Sequence, residues 1–280
     1  MKKVLIIGNT RKNRIKNTLE ELDSWLKRKA LTVPMDITQA ERMRPLEGDF
    51  AIALGGDGTF LRVSRMVSPY GIPIIGVHLG LFGFLAELTP KDMYSHLDKV
   101  LRGEYELHSR MLLSCQLERN RKVVRESLGV NDVVISRASL SRLISVRLFI
   151  DEEDVTTYSS DGLIVSTPLG STAHCLSAGG PILSPEMDAL VISPICPHTL
   201  TNRPLVISGG VRVKMEVGSE SVGTGLTVDG QVYEELQPGD MVRVERSDMR
   251  LQLVDTEVRS FYTVLREKLS WGGSPKYGNG

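Results

Sequence analysis

The chain has 280 residues, 41% hydrophobic and 24% charged, a composition that suits a globular protein of one large or two modest domains. Lys plus Arg balances Asp plus Glu at 34 each, and a net charge of zero argues against bulk electrostatic capture of nucleic acid or anionic lipid. Three widely spaced cysteines, Cys115, Cys175 and Cys196, form no CxxC pair and argue against a disulfide framework. The apolar run at residues 4–7 is too short for a signal peptide, and no apolar stretch reaches the length of a bilayer span. The expectation is a cytoplasmic protein with no membrane and no nucleic-acid partner.

The first hundred residues alternate strand and helix signals. Residues 4–7 read as a buried strand stopped by Gly8. Residues 13–29 carry Ile15, Leu19, Leu22 and Leu26 at helical spacing. Residues 50–54 read as a second buried strand ending at Gly55-Gly56, and 58–67 as a helix ended by Pro69-Tyr70-Gly71. A strand follows at 72–77. Thr89-Pro90-Lys91-Asp92 is a helix-start pattern, with Gly103 as the stop. The Glu41-Arg42-Met43-Arg44 cluster reads as solvated surface. Such alternation predicts an α/β domain with a parallel sheet.

Beyond Gly103 the texture changes. Short strands are expected at 110–117, 127–135, 144–150, 162–166, 189–193, 204–207, 211–217, 225–228, 241–245 and 251–254, punctuated by Gly, Pro, Asp and Ser. The fold class is therefore an α/β N-terminal domain with a parallel sheet, residues 1–105, plus a β-rich, β-sandwich-like C-terminal domain, residues 106–260. The tail from 261 to 280 is expected to return to the first domain, with a helix over 260–271.

The strongest local signal is Leu54-Gly55-Gly56-Asp57-Gly58-Thr59, which follows a buried strand and opens a helix. Glycines let backbone amides approach a phosphate, and a helix start adds unpaired donors. A carboxylate such as Asp57 should repel phosphate; it makes sense if it faces a hydroxyl to be phosphorylated, or a magnesium ion. The same glycines would also serve a plain strand–turn–helix joint. A second block, Asp161-Gly162-Leu163-Ile164-Val165-Ser166-Thr167-Pro168-Leu169-Gly170-Ser171-Thr172-Ala173-His174, offers small residues and hydroxyls that could wall a flat polar ligand or turn a hairpin corner.

Gly-Gly-Asp-Gly-Thr resembles the signature of a kinase superfamily that holds NAD kinases, diacylglycerol and sphingosine kinases, and 6-phosphofructokinases. The Asp161–His174 stretch resembles the second signature of NAD kinases, which the other branches lack. Asn131-Asp132, the Gly-Leu-Phe-Gly-Phe-Leu run at 80–85, Ile195-Cys196-Pro197-His198-Thr199-Leu200, Asn202-Arg203-Pro204-Leu205 and Leu226-Thr227-Val228-Asp229-Gly230-Gln231 match the same family in order. The resemblance departs at His174, where the family usually has Tyr, and at Leu169, where it has Thr or Ser.

The resemblance implies transfer of the γ-phosphoryl of ATP to the adenosine 2′-hydroxyl of NAD, giving NADP, with Mg2+ or another divalent cation accompanying ATP. Polyphosphate is a further candidate donor. It places Asp57 as catalytic base, Gly55, Gly56, Gly58 and Thr59 at phosphate, and Phe84, Asn131, Asp132, Asp161, Thr172, Ala173, His174 and Ser177 around NAD; it names no metal ligand. It also implies a homodimer or homotetramer whose neighbouring subunits complete the substrate site. The competing expectations are a lipid or sphingoid kinase of the same superfamily and a non-catalytic NAD(P)-binding module.

Overall fold

A computed structural model describes residues 1–43, 45–80, 83–86, 88–137, 143–199, 201–219, 221, 223–255 and 258–271. The chain forms two compact units: residues 1–60, 74–108 and 254–280 in the first, and 61–73 with 109–253 in the second.

The first unit starts with β1 (Lys3–Gly8), α1 (Asn13–Leu26), β2 (Leu31–Asp36) and α2 (Ile37–Arg42). It continues with β3 (Phe50–Leu54), α3 (Asp57–Val67, whose later turns belong to the second unit), β4 (Ile74–Val77) and α4 (Met93–Arg102). All strand pairings are parallel, in the order β2-β1-β3-β4. Ile15, Leu19, Leu22 and Leu26 of α1 and Met93, Leu97 and Val100 of α4 bury against Val4, Ile6, Phe50, Ile52, Leu54 and Ile75. Strand β2 and helix α2 were not foreseen as elements. Pro34 and an exposed Leu31 conceal β2, and both are tolerable because β2 is a sheet edge. Helix α4 begins at Met93 rather than at Pro90: Thr89 caps a preceding turn, its hydroxyl accepting from the amides of Lys91 and Asp92.

This strand order contains a switch point. The chain passes from β1 to β2 on one side, then crosses to place β3 on the other side of β1. Ligands in open parallel sheets bind at the carboxyl ends of strands where the order reverses. Gly8 and Leu54, the last residues of β1 and β3, are register partners there, and Gly55 follows Leu54 directly.

The second unit is an antiparallel sandwich. Its strands are β5 (Leu107–Arg119), β6 (Lys122–Gly129), β7 (Asp132–Arg137), β8 (Ile144–Ile150), β9 (Glu153–Ser160) and β10 (Gly162–Ser166), then the short helix α5 (His174–Ser177). They resume with β11 (Ala189–Ile195), β12 (Leu205–Ser208), β13 (Val213–Val217), β14 (Thr224–Val228), β15 (Val232–Leu236) and β16 (Met241–Val254). One sheet runs β12-β11-β10-β7-β14-β15; facing it is a layer of β16, β13, β8 and β9, with β5 joining β16 to β6. Alternate residues of the two sheets interdigitate: Val133, Ile135, Leu163, Val165 and Ile192 from one, Val146, Leu148, Val213, Met215 and Val244 from the other. On the opposite face of the first sheet, Cys175 and Leu183 cover Val134, Ile164 and Val191. Burial pushes the Cys175 thiol up to about 11, which suits a packing residue. Helix α6 (Phe261–Leu269) closes the chain, capped by Ser260 accepting from the Thr263 amide, and belongs to the first unit.

Three sequence expectations shift here. Residues 127–135 are two strands, β6 and β7, broken at Val130-Asn131; 241–245 and 251–254 are one long strand, β16; and the polar β9 and β15 carried too few apolar residues to be seen.

Asp36 ends β2 and ties three segments together. Its carboxylate accepts from the amide and hydroxyl of Thr10, at 2.9 and 2.6 Å, and from those of Thr38 at the same distances. Burial pushes this carboxyl upward, but the bonds from Thr10 and Thr38 outweigh it and hold it well below the usual carboxylate range. Asp36→Ala is expected to cost about 1–2 kcal/mol through the lost helix cap, measured by urea denaturation at pH 7. The ionised carboxylate contributes above the unfolded value of about 3.9, and the contribution disappears as pH falls through the lower folded value. The difference between the two proteins should therefore shrink in acid.

Candidate functional site

In the first unit, the five buried residues of β3 fix the exit direction of the chain at Gly55, whose amide donates to the Val77 carbonyl at 3.0 Å. The side chain of Thr59 packs directly on Gly55, where a Cβ would lie 2.7 Å from that of Thr59. Gly56 and Gly58 are exposed, and among the described residues nothing lies within 4 Å of the position a Cβ on Gly56 would take. Gly56 carries no side chain and is exposed, so the turn offers an anion an open approach.

Asp57 is half-buried at the first position of α3. Its Oδ2 accepts from the Phe84 amide at 2.8 Å, and its Oδ1 from Leu85 and Ala86 at 3.2 and 3.4 Å. Residue 83 must be glycine, because a Cβ there would fall on the Asp57 carboxylate. The structure therefore brings Asp57 and Phe84 together through the Phe84 backbone, leaving the Phe84 ring half-exposed. Of the 80–85 block, Leu81 and Phe82 lie outside the described residues. Sequence reasoning named Phe84 but missed Gly83, whose role shows only once Asp57 is seen against it.

In the second unit, Asn131 and Asp132 sit at the break between β6 and β7. The amides of Val130, Asn131 and Asp132 donate to the Asp229 carboxylate, the shortest at 2.7 Å from Asn131. The Asp229 side chain is fully buried and also ion-pairs with Arg65 of α3. Arg65 was not named from the sequence and Asp229 only within the Leu226–Gln231 block, because the two partners stand 164 positions apart. The next turn is bolted to the first. Thr167 donates its amide to the Asn131 carbonyl at 2.9 Å and its hydroxyl to that of Val130 at 2.7 Å. Gly170 lies so close to Asn131 that a Cβ would stand 2.6 Å from the Asn131 Cα.

This packing brings Asn131, Asp132, Thr172 and Ala173 into one corner. Thr172 and Ala173 are half-buried, while His174 and Ser177 are exposed on α5. The Asn131 Oδ1 is buried without a hydrogen-bond partner. Asp161 is elsewhere: it precedes β10, whereas Thr167 follows it, so a five-residue strand, roughly 17 Å, lies between it and the Asn131 turn. There Asp161 ion-pairs with Arg137 at 3.0 Å. Among the described residues, no group of three or more His, Cys, Asp or Glu is placed to hold a metal ion.

A glycine turn at a parallel-sheet switch point, with an antiparallel sandwich as the second unit, agrees with what the resemblance to the Gly-Gly-Asp-Gly-Thr kinases implies. Comparison with known proteins narrows the class. Residues 36–105 match the ATP-NAD kinase N-terminal domain, and residues 130–256 the ATP-NAD kinase C-terminal domain. The NAD kinase of Geotalea daltonii is 40% identical, the match covering 97% of this chain and 99% of that protein. That of Syntrophotalea carbinolica is 41% identical over 90% of this chain and 89% of its own length. Among solved structures, yeast NADH kinase complexed with NADH superposes with a TM-score of 0.87 at 25% identity, covering 99% of this chain and 90% of that one. An NAD kinase from Archaeoglobus fulgidus shares the fold, with a TM-score of 0.75 at 23% identity, covering 96% of this chain and 100% of that one. The chain belongs to the NAD kinase family, and its activity is the ATP-dependent phosphorylation of NAD.

Burial raises the Asp132 carboxyl to about 7, with the nearby Asp229 charge adding to the effect. Below about pH 3.9 the group is protonated in folded and unfolded chains alike. Between there and pH 7 the unfolded chain releases a proton that the folded chain keeps, so this group makes stability fall as pH rises and then level off. Asp132→Asn should flatten that slope, read as denaturation midpoints between about pH 4.5 and 8. Gly170→Ala should cost about 1–3 kcal/mol through overpacking against Asn131, measured the same way at pH 7.

Proposed function

We propose that Asp57 is the catalytic base of NAD phosphorylation in this chain. The 2′-hydroxyl oxygen of the adenosine ribose bonds to the γ-phosphorus of ATP, the bond from that phosphorus to the β-bridging oxygen breaks to release ADP, and the hydroxyl proton passes to Asp57. The observation that carries this reading is the position of Asp57, a half-buried carboxylate at the head of a helix entered through an open glycine turn. A carboxylate accepts about four hydrogen bonds; Phe84, Leu85 and Ala86 take up three, and one site remains for the hydroxyl. In a loose phosphoryl-transfer transition state the proton leaves late, so positioning matters more than basicity.

In this reading Gly55, Gly56, Gly58 and Thr59 cradle the phosphates, and Phe84 lies beside the adenosine. Asn131 and Asp132 hydrogen-bond the adenosine half of NAD; the unpaired Asn131 Oδ1 supports such a role. Thr172, Ala173, His174 and Ser177 line the same corner. A divalent cation bound with ATP would supply charge neutralisation at the transferring phosphate. Such an ion is held largely by substrate phosphates with one or two carboxylates, so it would need no protein cage. The yeast neighbour's complex with NADH supports a dinucleotide acceptor in either redox state.

The reading extends to a cytoplasmic homodimer or homotetramer in which Asp161, remote from the Asn131 turn in its own chain, serves the dinucleotide of a neighbouring copy. It also keeps residues 1–105 with the tail 261–280 as the α/β domain and 106–260 as the β-rich NAD-binding domain.

Asp57→Asn should lower kcat by about a thousandfold, within the range typical of a lost general base, with NAD affinity by calorimetry within a few-fold of wild type. Turnover at the wild-type rate would remove Asp57 from the mechanism. In sedimentation, an active monomer would remove the shared site.

A further inference from the structure

Two carboxyl groups meet beside the Asn131 turn of the second unit, and only one of them is provided for. The ladder between β7 and β14 pairs Val133 with Val228. One step further along both strands, the Asp229 amide donates to the Asp132 carbonyl at 2.9 Å, and the Asp132 amide donates to the Asp229 Oδ1 at 3.2 Å. Antiparallel strands hold residues opposed in this way about 5.5 Å apart between Cα atoms. Asp229 stands in the left-handed region, φ 52°, and its carboxylate also takes the amides of Val130 and Asn131. Arg65 supplies the countercharge and gives its second nitrogen to Gln231. Asp229 is therefore a settled anion.

Asp132 has no such provision. It is 4% exposed, and among the described residues its carboxyl accepts no hydrogen bond and pairs with no cation. Ser166 is its register partner on β10, but that hydroxyl donates to the carbonyls of Asn131 and Thr167. From α5 the group bearing on it is the Cys175 thiol, which burial, and after it Asp132, holds protonated. His174, next to Cys175, is exposed. A carboxyl out of water, without donors and beside a fixed anion, keeps its proton more firmly than an exposed one. The rise of this group to about 7 agrees with that arrangement. The chemical consequence is direct. A carboxylate only accepts hydrogen bonds, whereas the neutral acid donates one. With the unpaired Asn131 Oδ1 next to it in the chain, the pair offers one donor and one acceptor instead of acceptors alone.

We propose that Asp132 meets the adenosine of NAD as a neutral acid, donating its O–H to an acceptor atom of the nucleoside, so that NAD binding requires this proton and weakens when it is lost. The inference rests on the reading above that Asp132 hydrogen-bonds adenosine. It makes affinity for the acceptor substrate fall with rising pH, through a group that belongs to the site itself.

The test is calorimetric titration of the full chain with NAD between pH 6 and 8.5 at fixed ionic strength, for wild type, D132N, D132A and H174Q. NAD itself neither gains nor loses a proton in this range. Melting curves at each pH establish that the protein is folded. One required proton on a group titrating at about 7 weakens binding about thirtyfold over that range. Binding to wild type at pH 8 should also take up about one proton, seen as a binding enthalpy that changes with the ionisation enthalpy of the buffer. D132N, which cannot titrate, should show neither effect. H174Q, which removes the imidazole of α5, should keep both. A wild-type affinity that does not change with pH would overturn the proposal. So would an undiminished pH dependence in folded D132N, or its disappearance in H174Q. If D132N does not fold, wild type and H174Q decide on the same criteria. D132A separates the two levels. Wild-type affinity in folded D132A at pH 6 refutes the contact with adenosine, whereas weak binding there beside a pH-independent wild type refutes only the neutral acid.

Discussion

A carboxylate removed from water must be satisfied by the chain, and Asp229 is satisfied by three backbone amides and a guanidinium at once. The corner of the second unit depends on this. Without a buried acceptor at residue 229, the amides of Val130–Asp132 have no partner, and unpaired buried amides cost about 1–3 kcal/mol each. The break between β6 and β7 is therefore a consequence of one side chain, and the presentation of Asn131 follows from the break. Thr167 and Gly170 then fit against a turn whose shape is already set.

The same device recurs in the first unit. Asp57 gathers the amides of Phe84, Leu85 and Ala86, and Asp36 gathers Thr10 and Thr38. Each carboxylate stands at the end of a strand or the start of a helix, where backbone donors would otherwise lack acceptors. Asp57 differs in standing beside an exposed glycine turn. It joins two tasks, holding a loop and, in the proposed mechanism, meeting a substrate hydroxyl. Asp132 shows the opposite case: burial beside the committed charge of Asp229 drives its carboxyl toward the neutral form.

Much of the architecture was legible in local pattern. The buried runs at β1, β3, β8 and β10 and the helical spacing of α1 and α3 are strong periodic signals, because a core-facing residue must recur at the element's own period. Strands β2, β9 and β15 were not legible. They carry exposed or polar residues and are held by ladder bonds and neighbours, which the local sequence does not record. The late start of α4 has a similar cause, since the hydroxyl of Thr89 caps a turn before the helix proper.

By itself the sequence determined the order of the chemistry-bearing blocks: a glycine turn carrying Asp57, the Asn131-Asp132 pair, and the small-residue run from Gly170 to Ala173. These are local requirements of backbone approach and side-chain type, so they survive as readable motifs. Tertiary structure alone decided which partners those blocks meet. That Gly83 must yield space to Asp57, that Arg65 answers Asp229, and that β10 holds Asp161 away from the Asn131 turn all depend on contacts between residues distant in sequence. No local pattern encodes such contacts, because each is fixed by the folding of both partners rather than by either one.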